Sequence, residues 1–279
     1  MRTKTTYFVA FVLVLGAGFL AGCGGPPCPV FPQTNPTEAL SMHRQTRGHV
    51  QSVRGEARVD QRGKEGRIRG TVFMFVERPD RVRFDAMTQF GPAAILTSDG
   101  ETFSLTDLRE DRYLYGPTCP SNIARLLGIP LSGAEVSRLL IGDTPRIDVA
   151  SERIECREGA YVVSIEGTDG RRQHIELAIR AEDRELPPQE QHLRLVRSQV
   201  YRADGKTEWK ATFSEHRVVD DPRSEYGVAM PFEIRFEHPR HGADVLLKFQ
   251  DIDLNVPPPE GAFRQEPRPG IPAEHVACE

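Results

Sequence analysis

The chain has 279 residues and a formal net charge of −4 at pH 7, with 36 lysine and arginine residues against 40 aspartate and glutamate residues. This balance gives the chain no overall basic field, which argues against a nucleic-acid partner. The length is enough for one large domain.

The first 22 residues have the pattern of a targeting segment. Arg2 and Lys4 make the start positive, and residues 7–21 form an apolar stretch shorter than the ~20 residues that a bilayer-spanning helix needs. Residues 20–23 read Leu-Ala-Gly-Cys, which resembles the bacterial lipobox, where a lipoprotein signal peptidase cuts before the cysteine. We therefore predict a signal peptide over residues 1–22 and a lipidated Cys23, whose acyl chains would hold the protein stably on a membrane.

The residues after Cys23 indicate where the anchored chain would reside. Gly24 stands where an Asp favours inner-membrane retention in enterobacterial lipoproteins, so the resemblance implies the outer membrane, with the chain facing the periplasm. Residues 24–37 contain five prolines and little apolar periodicity. We therefore predict a lipidated, extended tether over residues 23–37.

The four remaining cysteines could form disulfides, because an export signal implies an oxidising compartment. They are Cys28, Cys119, Cys156 and Cys278, and four thiols allow three connectivities. We take Cys119–Cys156 with Cys28–Cys278 as a working hypothesis. No metal site is predicted, because the sequence has no zinc-type cysteine cluster and the His-x-x-His at residues 238–241 falls in a turn without helical spacing.

Between residues 38 and 118 the chain reads as a short helix followed by strands, because polar and apolar residues alternate between turn signals. The predicted elements are a helix at 39–42 and strands at 49–60, 67–77, 81–86, 93–97, 101–107 and 113–115. Residues 72–76 are consecutive apolar residues, which indicates a strand that is covered on both faces or lies under a lid.

Phe90 is unusual, because a large aromatic residue at the tip of a tight hairpin has no evident core to enter. Residues 89–92 read Gln-Phe-Gly-Pro and predict a sharp reversal between two strands. One interpretation is that the ring folds back onto its own sheet. The other is that Phe90 and Gly91 form an apolar tip directed at a membrane or an acyl chain.

Two short helices are predicted after these strands. Residues 120–122 offer a cap before a helix at 123–127, which Gly128 can end. Ser132 offers a cap before a second helix at 134–141, which Gly142 can end.

After Pro145 apolar and polar residues alternate with a period of two, as at 161–165, 175–179, 209–213, 232–236 and 245–249. The chain is thus predicted to be mainly β with a few helices, as an antiparallel sheet of about 11–13 strands with one apolar face. Because few helices can cover that face, the sheet should curl into a half-open barrel around an apolar cavity that suits acyl chains. A closed, filled barrel or a sandwich core is the alternative.

Two stretches resemble the outer-membrane lipoprotein receptor LolB over about 60 residues. The motifs are Thr-Gln-Phe-Gly at 88–91, Ala-Ile-Leu at 94–96, Leu-Thr-Asp at 105–107, Leu-Leu-Gly-Ile-Pro-Leu at 126–131 and Leu-Ile-Gly-Asp-Thr-Pro at 140–145. Phe90 stands where that family usually has Leu, and Leu139 or Leu140 falls where it has Trp. The last strand is also similar to that of the broader LolA, LolB and RseB fold group.

The resemblance implies a half-open antiparallel β-barrel domain at residues 38–265, with a helical lid over the cavity, and an irregular tail at 266–279. Phe90 and Gly91 would form the tip that inserts into a membrane. The residues that would form the lid and line the cavity are Leu126, Leu127, Ile129, Leu131, Leu139, Leu140 and Ile141.

The implied function is that of a lipid-anchored acceptor or chaperone, which takes the acyl chains of lipoproteins and helps to insert them into the outer membrane. Its partners would be acylated lipoproteins, a LolA-like periplasmic carrier and membrane lipid, with no cofactor and with the chain as a monomer. A sensor or structural lipoprotein that binds a protein partner, as RseB-like proteins do, is the alternative. An enzyme is not predicted, because Ser164 and Ser214 lack a Gly-x-Ser-x-Gly elbow.

Overall fold

A computed structural model describes residues 26–63 and 66–278, so the predicted signal peptide and Cys23 lie outside the described residues. The helices are α1 (Pro36–Gln45), α2 (Pro120–Leu127) and α3 (Gly133–Leu140). None of the helices in these ranges has the length and apolarity needed to cross a bilayer. A chain that starts at Gly24 would keep every described element.

About half of the described chain is in strands. They are β1 (Ser52–Gly63), β2 (Gly66–Glu77), β3 (Arg81–Thr88), β4 (Gly91–Ser98), β5 (Thr102–Asp107), β6 (Arg112–Pro117), β7 (Val149–Arg157), β8 (Ala160–Gly167), β9 (Arg172–Ile179), β10 (Leu193–Tyr201), β11 (Thr207–Val219), β12 (Val228–His238), β13 (Ala243–Leu254) and β14 (Ala273–His275).

All fourteen strands form one sheet, in the order β14-β6-β5-β4-β3-β2-β1-β13-β12-β11-β10-β9-β8-β7. Neighbouring strands are antiparallel, except that β14 runs parallel to β6. β1 pairs with both β2 and β13 and so joins the two halves of the chain. The prediction of a mainly β, mainly antiparallel fold is confirmed, and the sheet is open because β14 and β7 are separate edges.

The period-two pattern decides which face of the sheet is buried. In β9, for example, Ile175, Leu177 and Ile179 are buried while the residues between them are more exposed. Apolar residues from all three helices belong to the same buried cluster as these inward-facing strand residues. We call this the inner face and the opposite side the outer face.

Local sequence determines where α2 and α3 begin and end. Ser132 caps α3 in a capping box, in which Ser132 N–H donates to the Glu135 carboxylate at 2.8 Å and Glu135 N–H donates to the Ser132 hydroxyl at 3.3 Å. Gly128 ends α2 with a left-handed φ of +64°. The cap predicted at 120–122 is displaced, because Cys119 is the N-cap residue of α2 and its side chain makes no capping bond.

The segment before α1 is pinned to the sheet. Cys28 forms a disulfide with Cys156 in β7, and Gln33 N–H donates to the hydroxyl of Tyr161 at 2.9 Å. The prediction of an extended tether through residue 37 is therefore wrong for residues 28–33. Proline content indicated an extended backbone but could not show that this backbone docks on the domain.

The second disulfide joins Cys119 to Cys278. The hypothesised pairs Cys119–Cys156 and Cys28–Cys278 are therefore wrong. Cys156 lies in β7, at one edge of the sheet, whereas Cys119 follows β6, which is next to the other edge. Proximity along the chain gave no information about this separation.

The C-terminal tail takes part in the sheet. Residues 266–279 are predicted to be irregular, but Ala273–His275 forms β14 and pairs with β6. Val276 N–H donates to the Tyr115 carbonyl at 2.8 Å, and the Val276 side chain is buried in the core. Gly116 allows this approach, because a Cβ there would overlap the Val276 carbonyl oxygen.

The strand registers define two ends of the sheet. The turns β1–β2, β3–β4 and β12–β13 share one end, which we call the tip end because it carries Phe90. The turns β2–β3, β7–β8 and β11–β12 share the opposite end, which we call the base end. α1 lies at the base end, where it contacts the start of β10.

His43 fixes α1 to the chain that leaves α3. Its ring is 2% exposed, and Nε2 lies 3.1 Å from the carbonyl oxygen of Gly142. Because a carbonyl only accepts, Nε2 carries the hydrogen of this bond. Burial, reinforced by the charge of Arg47, lowers the pKa of His43 from 6.5 to about 3.

We predict that His43 makes the protein acid-sensitive. Because the folded pKa lies below the unfolded one, the unfolded state binds the proton first, and stability is lost as pH falls below 6.5. The loss should be roughly 1.4 kcal/mol per pH unit, in addition to contributions from other histidines. His43→Gln should therefore flatten the pH dependence of the free energy of unfolding, measured in urea between pH 6.5 and about 4. An unchanged slope would contradict this assignment.

The disulfide pattern predicts two linked peptides in a digest of the non-reduced protein, one joining Cys28 to Cys156 and one joining Cys119 to Cys278. Replacing Cys119 and Cys278 by Ser should lower the free energy of unfolding by about 3 kcal/mol, because the bond constrains a long loop in the unfolded chain. Mass spectrometry and denaturant unfolding measure these results. A Cys119–Cys156 peptide would contradict the fold.

Candidate functional site

Phe90 lies at the tip end, in the turn between β3 and β4. Its side chain is 91% exposed, more than any other large apolar side chain in the described ranges. The Thr88 hydroxyl accepts a hydrogen bond from Phe90 N–H at 3.2 Å and donates to the Gly91 carbonyl at 3.0 Å. Gly91 has a φ of +114°, which residues with a Cβ rarely adopt. The turn is thus fixed while the ring remains in water, and the interpretation that the ring folds back is wrong.

The residues predicted to form a lid all lie between α2 and the end of α3. Leu126 is partly buried and packs against the core. The other residues of the set are buried, and they are Leu127, Ile129, Leu131, Leu139, Leu140 and Ile141. The structure therefore brings the predicted lid residues together on the inner face of the sheet.

The space beneath α2 and α3 is almost completely filled. The void there has a volume of 20 Å³, between Leu127, Leu139 and Leu140 of the helices and apolar residues of β2, β3, β12 and β13. Ligand sites usually have about 300–1,000 Å³, whereas this volume holds about one water molecule. The predicted apolar cavity is therefore not open in this structure, because the helices occupy it.

Residues 123–141 are held against the sheet by apolar contact. In the described part of the chain, no hydrogen bond or ion pair joins these residues to a strand. The polar connections lie at the two ends of the segment: the Asn122 amide donates to the Pro117 carbonyl at 2.9 Å, and the Thr144 hydroxyl donates to the Ser198 hydroxyl at 2.8 Å. The segment therefore has fixed ends and a middle part that only apolar packing retains.

An open cavity of 560 Å³ lies at the tip end of the inner face. We call it the mouth. Val59, Val72 and Ala86 of the sheet line it together with Leu126 of α2, and Thr88 beside Phe90 also contributes. The mouth is thus the place where the apolar interior meets water, next to the exposed Phe90.

A second open space, of 1110 Å³, lies on the outer face beside the same hairpin. We call it the outer groove. Phe90, Met87 and Leu246 contribute apolar surface to it, and Arg58 and Arg109 contribute charge. The β3–β4 hairpin therefore projects between two open spaces, one on each face of the sheet.

Sequence reasoning missed Ile68, which is 62% exposed on β2 and lines the mouth. It shares the inner face with Val72 and Met74, because it lies an even number of residues before them. The sequence feature that could have identified Ile68 is its position as an isolated apolar residue between Arg67 and Arg69. Ile68 and Phe90 are thus two exposed apolar side chains at the tip end.

Comparison with known proteins gives a likeness at the level of fold. No family model matches the chain, and no curated protein matches it by sequence. A crystal structure of a DUF1329 family protein from Desulfovibrio piger is 13% identical, with a TM-score of 0.54, and the match covers 85% of this chain and 98% of that one.

Two further solved structures are similar with lower TM-scores. A LolA superfamily protein from Nitrosomonas europaea is 12% identical with a TM-score of 0.49, over 84% of this chain and 99% of that one. A putative outer membrane lipoprotein-sorting protein domain from Vibrio parahaemolyticus is 13% identical with a TM-score of 0.47, over 82% and 97% of the two chains. The chain thus shares its fold with the Desulfovibrio piger protein.

Proposed function

We propose that the protein is a lipid-anchored acceptor that binds the acyl chains of lipoproteins on the inner face of its sheet and helps to insert them into the outer membrane. The observation that carries the proposal is Phe90, which is 91% exposed on a fixed turn beside the mouth. A Phe side chain that stays in water loses the ~1.5–3 kcal/mol of stabilising free energy that burial would provide. An exposed aromatic ring in this position therefore suggests contact with an apolar partner.

Binding requires that α2 and α3 move away from the sheet. Burial of the seven lid side chains contributes at most roughly 10–20 kcal/mol to the free energy that holds these helices on the sheet. An acyl chain of about 16 carbons contributes about 13 kcal/mol when it is buried in their place. The two burial free energies are similar, so one or two acyl chains could displace the helices without energy from nucleotide hydrolysis. Transfer would then follow the difference in affinity between carrier, acceptor and membrane.

The N-terminal anchor limits how the domain can face the membrane. Cys23 is five residues from Cys28, and five residues span at most about 17 Å. The Cys28–Cys156 disulfide lies at the base end, whereas Phe90 lies at the tip end. β1 has 12 residues and is about 40 Å long. Phe90 would therefore reach the bilayer that holds Cys23 when the sheet lies side-on, with its strands along the membrane surface.

The proposal is tested by a transfer assay with a chain that starts at Gly24. A LolA-type carrier loaded with an acylated lipoprotein is mixed with this chain, and the cargo is followed by gel filtration. Movement of the cargo onto the chain is the expected result. If the chain is folded and the cargo stays on the carrier, the acceptor function is refuted, and a stable complex with one periplasmic protein would instead support a sensor role.

We predict that Phe90→Glu prevents delivery of cargo to liposomes and leaves folding and cargo uptake unchanged, because a carboxylate cannot enter the apolar part of a bilayer without a large desolvation cost. The rate of delivery should fall at least tenfold. Tyr226→Glu is the matched control, since Tyr226 is 78% exposed on the β11–β12 turn at the base end. Equal delivery by the two variants would refute the role of the tip.

A further inference from the structure

The tip end carries arginine side chains that no neighbouring carboxylate pairs in the described residues. Arg58 and Arg109 line the outer groove, and Arg62, Arg109 and Arg125 line the mouth. All four are exposed, and none forms an ion pair with a carboxylate in the described ranges. Where they have side-chain partners, these are neutral: the Arg58 guanidinium donates to the amide oxygen of Gln250 at 3.0 Å.

The acidic groups of the same two spaces are already engaged. Asp60 faces both Arg67 and Arg69, and the hydrogen bonds from Arg67 hold the pKa of Asp60 down to about 2. One carboxylate charge thus meets two guanidinium charges there. The carboxylate of Asp107 accepts hydrogen bonds from the backbone N–H groups of Arg109 and the following residue, at 2.9 and 3.2 Å.

Lys248 is the remaining cation of the outer groove, and its ammonium lies 2.8 Å from the carboxylate of Glu233. Among the residues that line the two spaces, the excess of positive charge therefore comes from the arginines, and Glu110 and Asp111, which follow Arg109 in the β5–β6 turn, offset only part of it. It occurs in a chain whose net charge is −4. The net charge of the chain therefore does not account for the positive charge at the tip end.

The arrangement of these arginines matches an extended anionic surface better than a small ion. They lie on both sides of the β3–β4 hairpin, exposed, around the exposed ring of Phe90. A free phosphate would leave Phe90 in water, whereas a lipid bilayer offers phosphate groups at its surface and hydrocarbon below. Basic side chains around an apolar anchor are the pattern of proteins that bind anionic membrane surfaces.

We propose that the tip end docks on anionic phospholipid, with Arg58, Arg62, Arg109 and Arg125 at the headgroups and Phe90 below them. This inference rests on the proposed function, because it names the membrane surface that the tip recognises. Headgroup charge would draw the tip end to the bilayer and orient it, and Phe90 would then enter the hydrocarbon. Each basic side chain near such a surface raises the affinity of the protein for the membrane a few-fold at physiological salt.

The test uses vesicles without any lipoprotein, so its outcome is independent of cargo transfer. The chain that starts at Gly24 is used, because a lipid anchor would hold every variant on any bilayer. Cooperative unfolding of this chain and of each variant is checked first. Flotation measures binding to phosphatidylcholine vesicles with and without 30% phosphatidylglycerol, at two salt concentrations. Arg58→Glu with Arg109→Glu is compared with Arg153→Glu with Arg223→Glu, which makes the same charge change in β7 and at the base end.

The expected result is at least tenfold tighter binding to the vesicles with phosphatidylglycerol, with most of this difference lost in high salt. On the vesicles with phosphatidylglycerol, the Arg58/Arg109 variant should bind at least tenfold more weakly than the unchanged chain. The Arg153/Arg223 variant should bind within about twofold of the unchanged chain. Equal binding to both kinds of vesicle, or equal losses in both variants, would overturn the proposal. A failed cargo transfer with preserved vesicle selectivity would refute the acceptor function and leave the docking surface intact.

Discussion

The apolar inner face of a wide, open sheet has to be covered, and the rest of the structure follows from this constraint. An open sheet of fourteen strands exposes far more apolar surface than its own curvature can hide. α2 and α3 cover the middle of that face with leucine and isoleucine side chains and leave a void of only 20 Å³. Since apolar contact is non-directional, the proposed replacement of these side chains by acyl chains needs no specific polar group.

The polar and covalent connections lie around this apolar contact and not within it. Cys119–Cys278 and the Thr144–Ser198 hydrogen bond hold the two ends of the helical segment, and Cys28–Cys156 holds the N-terminal segment on β7. Movement of residues 120–141 therefore need not disturb the sheet. The Cys28–Cys156 disulfide places the start of the described chain at the base end, away from the exposed ring at the tip end, so the proposed lipid anchor on Cys23 would favour a side-on orientation on a membrane.

The sequence predicted the elements well and their arrangement less well. Period-two alternation identified the strands, and glycine and serine signals located α3 and the end of α2 within one residue, because these are local effects; α2 begins three residues before its predicted start. The disulfide pairs and the docking of residues 28–33 were not predictable, since they depend on which strands become the edges of the sheet. The arginines of the tip end were missed for the same reason: Arg58, Arg109 and Arg125 are far apart in the chain and come to one end of the sheet only through the strand registers and the packing of α2.

The central claim is that acyl chains take the place of α2 and α3 on the inner face. Hydrogen–deuterium exchange of the chain that starts at Gly24, with and without a palmitoylated lipopeptide, tests it most directly. The account predicts that amides of residues 120–141 exchange at least tenfold faster when the lipopeptide is bound, while the ladder between β1 and β13 remains protected. Saturating lipopeptide binding with unchanged protection of α2 and α3 would contradict the account.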